Sequence, residues 1–128
     1  MKRTLSLAIF SLAVLSLILA CGKEEKRSEE KLYTLAQEAQ SLGKSDDAIK
    51  YYQEILATYP ESENNYKAQF MIGYVYAEQL KDYDRAKEAF STVIERYPDC
   101  DLAESAKWMI ENVGQDSLGI EFQEKDEG

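Results

Sequence analysis

Large apolar side chains in the middle of this chain recur at a spacing that suits a helix. Ala48, Tyr52, Ile55, Leu56 and Tyr59 stand at i, i+4, i+7, i+8 and i+11, and Pro60 follows them. At about 3.6 residues per turn these positions share one face, so the segment predicts an amphipathic helix, buried on one side and ended by its proline. Thirty-eight residues on, the offset from Ala48 to Ala86, the stripe returns as Ala86, Phe90, Val93, Ile94, Tyr97 and Pro98.

The repetition continues past the prolines. Tyr59-Pro60-Glu61-Ser62 is matched by Tyr97-Pro98-Asp99-Cys100, and the run Ala68 to Ile72 by Ala106 to Ile110. Upstream, Leu32, Leu35, Ala36 and Ala39 form an apolar face that stops before Gly43. Helices are therefore predicted over 29–42, 45–58, 63–80, 83–97 and 101–113, an all-α chain of antiparallel hairpins. Ser45 with Asp46 and Asp47, and Asp82 with Asp84, have helix-start chemistry, and Asp101 with Glu104 reads as a capping box. Gly43 and Gly114 stand where helices should stop in a left-handed turn.

The two ends differ from this middle. The chain opens Met1-Lys2-Arg3 and runs on through apolar residues from Leu5 to Ala20, broken only by Ser6, Ser11 and Ser16. A positive start, an apolar stretch shorter than the ~20 residues of a membrane span and a small residue at its end predict an export signal over 1–20, cleaved after translocation. Leu17-Ile18-Leu19-Ala20-Cys21-Gly22 resembles the lipobox of bacterial lipoproteins. The resemblance implies that Cys21 is acylated and anchors the chain, at about 0.8 kcal/mol per buried methylene. The competing reading is a secreted soluble chain in which Cys21 is incidental. Gly22 to Glu30 holds no apolar residue, so 21–30 is expected to be a lipidated tether. The acidic stretch 115–128 has only Leu118, Ile120 and Phe122 as apolar residues and is expected to be a loose tail.

Residues 31–114 then form the domain, with repeats at about 29–62 and 66–98 and a capping helix at 101–113. Ile72-Gly73, Tyr76, Tyr83, Ala86, Phe90 and Pro98, and in the first unit Leu35-Ala36, Gly43, Ala48, Tyr52 and Pro60, resemble the marker positions of tetratricopeptide repeats. That family implies a short right-handed solenoid in which Gly73 or Ala36 lets two helices approach closely. Together with the export signal, the Tyr-Pro-acid-Ser ending is similar to envelope lipoproteins of the BamD type, which serve outer-membrane protein assembly, and to Tol-associated periplasmic repeat proteins. The expected role is a membrane-anchored adaptor for envelope proteins or peptides. Gly22 after the cysteine favours the outer membrane, facing the periplasm, by the same resemblance.

Charge and composition narrow the chemistry. The chain carries −9 formally, and losing Lys2 and Arg3 with the signal leaves −11. Such a balance argues against nucleic acid as a partner. Histidine is absent and no glycine-rich phosphate loop occurs, while the acid pairs Asp46-Asp47, Asp82-Asp84 and Asp99-Asp101 all fall at predicted helix starts. No enzyme, metal or cofactor is expected. With Cys21 acylated, Cys100 has no partner within the chain and is either a buried free thiol or a link between two chains.

The family's groove positions, carried by the leading helix of each hairpin, map onto Tyr33 and Gln37, onto Lys67, Phe70 and Tyr74, and onto Trp108. Gln40 is a further polar candidate. Tyr33, Phe70 and Trp108 are equivalent, and two readings stand: a ladder of rings on which a peptide or helix rests, or filler between helices. Tyr52, Tyr59, Tyr76, Tyr83, Phe90 and Tyr97 are expected in the core. A second role, structural self-assembly into a homo-oligomer, follows from a first hairpin whose outer face has no neighbour in so short a stack.

Overall fold

The structure is a computed structural model and describes residues 26–115. The predicted signal, Cys21 and most of the predicted tail lie outside the described residues. Five helices account for most of the described residues: α1 (Glu29–Ser41), α2 (Ser45–Thr58), α3 (Asn65–Glu78), α4 (Tyr83–Arg96) and α5 (Ala103–Asn112). Each packs mainly on its neighbours in sequence, so the chain zigzags into two hairpins and a final single helix. Among the described residues there is no strand. No helix there is long and apolar enough to cross a membrane.

The apolar stripes meet in two clusters. Leu32, Ala36, Tyr52, Ile55, Ala68 and Val75 centre the first, at 0 % exposure each, and join α1, α2 and α3. Ala86, Phe90, Val93 and Ala106 centre the second, between α4 and α5. Tyr76 packs against both and makes the seam continuous. Small residues let the helices close up. A β-carbon built on Gly73 would fall 2.8 Å from Cε1 of Phe90, so α3 and α4 can cross at this depth only because position 73 has no side chain.

A polar bracket ties the two hairpins at their far ends. Ser45 Oγ donates to Gln79 Oε1 at 2.9 Å, and Gln79 Nε2 donates to the Gln40 carbonyl at 2.9 Å. This is why Ser45 does not cap α2 as expected. Its hydroxyl is buried in the inter-hairpin contact, Lys44 occupies the cap position without a side-chain bond, and Asp46 and Asp47 remain in the first turn. The capping box at Asp101 also fails to form. Backbone bonds from Cys100 N to Tyr97 O (3.1 Å) and from Ala103 N to Cys100 O (3.2 Å) close the turn after Pro98, and the helix begins only at Ala103.

The same competition delays α3 to Asn65, whose buried side chain donates to the carbonyls of Tyr59 (2.8 Å) and Pro60 (3.0 Å). At its other end α3 stops at Glu78 because the turn to α4 carries an extra residue. Lys81 absorbs it in the left-handed region at φ 54°, while Asp82 N reaches back to Tyr76 O at 2.9 Å. Gly43 and Gly114 do take positive φ, 68° and 85°. Tyr83, expected in the core, is 38 % exposed because α4 starts at the edge of the stack, where the ring rests on Gly114.

Two further features define the ends of the stack. On α5 and just beyond it, the positions equivalent to Gln69, Phe70, Gly73 and Ala77 hold Lys107, Trp108, Glu111 and Gln115. In α3 those residues meet the trailing helix: Gln69 Nε2 donates to Ala89 O at 3.1 Å, and Phe70 and Gly73 pack on Phe90. On α5 Lys107 and Glu111 take the places of Gln69 and Gly73, so the Trp108 ring stands among charged neighbours. At the opposite end, the described part of the expected tether is fixed to the domain. Ser28 caps α1 by accepting from Lys31 N at 3.2 Å, Glu29 and Glu30 are already helical, and Lys26 and Arg27 lie on α2. Charge and aromatic faces hold this segment, so the absence of apolar residues did not keep it free.

Candidate protein-interaction cleft

The leading helices α1 and α3 open between them a cleft of about 620 Å³, lined by Ser28, Glu29, Glu30, Tyr33, Gln37, Asn64 and Lys67. Its base is Tyr33. The ring stands edge-on to Tyr52 at 6.0 Å between centroids, and the hydroxyl donates to the Asn64 carbonyl at 3.0 Å, bridging α1 to the turn before α3. Burial, and then the Glu29 carboxylate, push the Tyr33 pKa up to about 12. The phenol therefore stays protonated and serves as a fixed donor.

The walls are polar. Ser62 Oγ donates to Glu29 Oε1 at 2.7 Å, which holds one carboxylate against the α2–α3 turn. Lys67 Nζ donates to Asn64 Oδ1 at 3.0 Å and lies 5.6 Å from the Tyr66 ring centroid. Glu30 and Gln37 are exposed and free to turn toward a ligand. A concave site with a ring at its floor and donors and acceptors on both walls suits an extended peptide, whose backbone needs both.

The structure thus gathers Tyr33, Gln37 and Lys67 around one cleft and leaves Phe70, Tyr74 and Trp108 out of its lining. Repeat geometry accounts for the three equivalent rings. Tyr33 and Phe70 each turn to a ring on the trailing helix of their own hairpin, Tyr52 at 6.0 Å and Phe90 at 5.0 Å. Among the described residues Trp108 meets no trailing helix and is 51 % exposed, and Tyr74 is 39 % exposed. Sequence reasoning did not assign Ser28, Glu29, Glu30 and Asn64 to the site. Ser followed by two acids is helix-start chemistry, and it was the available sign that α1 and its groove face begin at Ser28. Among the described residues no group of three or more Cys, Asp or Glu side chains is placed to hold a metal ion.

Stacked antiparallel hairpins whose leading helices line a concave cleft define a helical-repeat interaction module. The tetratricopeptide repeat family matches residues 33–99, just over half of the sequence, and the chain belongs to that family. Repeats of this family mediate protein–protein contacts and are typically non-catalytic. No significant match to a curated protein was found.

Proposed function

We propose that the protein is a membrane-anchored adaptor of the bacterial cell envelope that holds a segment of a partner protein in the α1–α3 cleft. The cleft itself carries the reading: about 620 Å³ on the leading-helix face, with Tyr33 at its floor and Gln37 and Lys67 on facing walls. The export signal and the Cys21 lipobox support an anchored place in the envelope, on the outer membrane facing the periplasm. Resemblance to BamD-type and Tol-associated repeat lipoproteins points to outer-membrane protein assembly as the process served. Self-assembly is the weaker reading, because Lys26 and Arg27 lie over the Tyr59 and Tyr51 rings and put charge on that part of the first hairpin's surface.

A photo-crosslinking residue in place of Gln37 or Lys67, in the full chain in native membranes, tests the proposal. Discrete adducts are expected from both positions and none from the same residue at Lys87, exposed on α4. Equal adducts from Lys87, or none from the cleft, would reject it.

A further inference from the structure

The segment just before α1 is held at several points. The Arg27 guanidinium pairs with Glu54 at 3.0 Å and lies 5.7 Å from the Tyr51 ring centroid. Tyr59 OH donates to the Arg27 carbonyl at 2.6 Å, and the Lys26 ammonium sits 4.5 Å above the Tyr59 ring. Glu54 and Tyr51 are on α2, and Tyr59 caps its C-terminal end. Residues 26 and 27 therefore form a strap that brings the chain onto the domain at the edge bearing the α2–α3 turn. The opposite edge, with Leu42 and Gly43, is the length of α1 away, thirteen residues or about 20 Å.

From Cys21 to Lys26 is five residues, which reach at most about 18 Å when fully extended. We infer that the strap fixes which way the domain faces the lipid surface, with the α2–α3 turn proximal to the leaflet and the α1–α2 turn distal. This rests on Cys21 being the anchor, as proposed above. Without the strap the free run would extend to Ser28, at most about 25 Å, and would pivot about the start of α1. The cleft is lined in part by Ser28, Glu29 and Glu30 at the start of α1, so it reaches the proximal edge. A partner segment seated there is one held close to the same leaflet, such as the stretch next to a membrane insertion.

Tryptophan quenching in vesicles tests the orientation. The full lipidated chain, with Trp108→Phe removing its one native tryptophan, carries either Glu61→Trp at the proximal turn or Leu42→Trp at the distal one. Both sites are exposed. In phosphatidylcholine vesicles with a nitroxide on the headgroup, quenching at position 61 should exceed that at position 42 at least threefold. Adding Lys26→Ser and Arg27→Ser should reduce quenching at 61 at least twofold. Equal quenching at the two positions, or no response to strap loss, overturns the inference while the anchor stands. Failure of the lipidated chain to float with vesicles any better than a Cys21→Ser control overturns the anchor reading, and the orientation with it.

Discussion

The Phe90 ring lies so close to Gly73 that its Cε1, Cδ1 and Cζ atoms would all fall within 3.0 Å of a β-carbon at position 73. Phe90 is fully buried and has no room to retreat. Gly73→Ala gains about 1 kcal/mol in helix propensity but incurs an overpacking cost of about 1–3 kcal/mol. A net loss on the order of 1 kcal/mol is expected, seen as a melting temperature lower by about 4–8 °C in circular dichroism. Combining it with Phe90→Leu should show coupling of about 1 kcal/mol, the double variant being less damaged than the sum. Strict additivity would mean that the ring does not limit the crossing.

Phe70 and Trp108 occupy equivalent positions in different environments, and their truncations should differ accordingly. Phe70→Ala removes a half-buried ring packed on Phe90 and is expected to cost about 2–3 kcal/mol. Trp108→Ala removes a ring that is 51 % exposed, and should stay within about 0.5 kcal/mol. Urea unfolding of the two variants decides the matter. Comparable losses would show that Trp108 is covered in solution.

Asp82 and Asp101 each stand before a helix with an acid further on, Asp84 and Glu104, yet of the two only Asp82 caps. Its carboxylate accepts from Arg85 N at 3.1 Å and from Arg85 Nε at 2.6 Å, and these bonds hold its pKa below the ordinary carboxylate value. The depressed value means that its contribution is present above the ordinary carboxylate range and is lost as pH falls through the folded-state value. Asp82→Ala should speed hydrogen exchange at the Arg85 amide and weaken the acid dependence of stability. Asp101→Ala should leave exchange in the first turn of α5 unchanged. The reverse pattern would contradict the assigned helix starts.

What the sequence made legible follows the same physics. The five helices and the Gly73–Phe90 crossing could be read because they depend on apolar periodicity and on one missing side chain, both local to the pattern. Ser45, Asn65 and Asp101 were less readable, since each helix start is settled by tertiary bonds or by backbone closure of a turn, which compete with capping. Tyr83 carries the marker chemistry of a core residue but sits where the stack ends, and no periodicity reports an edge. The cleft was half visible. Tyr33, Gln37 and Lys67 lie on the leading-helix face that the repeat defines, whereas Ser28 to Glu30 and Asn64 join it from outside the apolar pattern. The strap was invisible for a related reason: two cations beside two tyrosines and a glutamate carry no hydrophobic signal.

The Tyr33 hydroxyl links the cleft to the α2–α3 turn, and its titration provides a signature of that link. In the folded chain burial and Glu29 raise its pKa to about 12, from the ordinary value of 10.0 in an unfolded chain. Between these values the folded state keeps a proton that the unfolded state has lost, so the contribution is complete below about pH 10 and disappears as pH rises through about 12. Stability of the native protein should therefore fall over this window, and Tyr33→Phe should flatten part of the fall. Tyr52, raised by burial, and Tyr66, raised by its hydrogen bond to Asp101, keep the remainder. Chemical denaturation at intervals between pH 9 and 12 reads the slope in both proteins, that of Tyr33→Phe being shallower by up to about one proton. An unchanged slope in Tyr33→Phe would place the phenol in solvent, and the floor of the cleft would then have to be assigned to other residues.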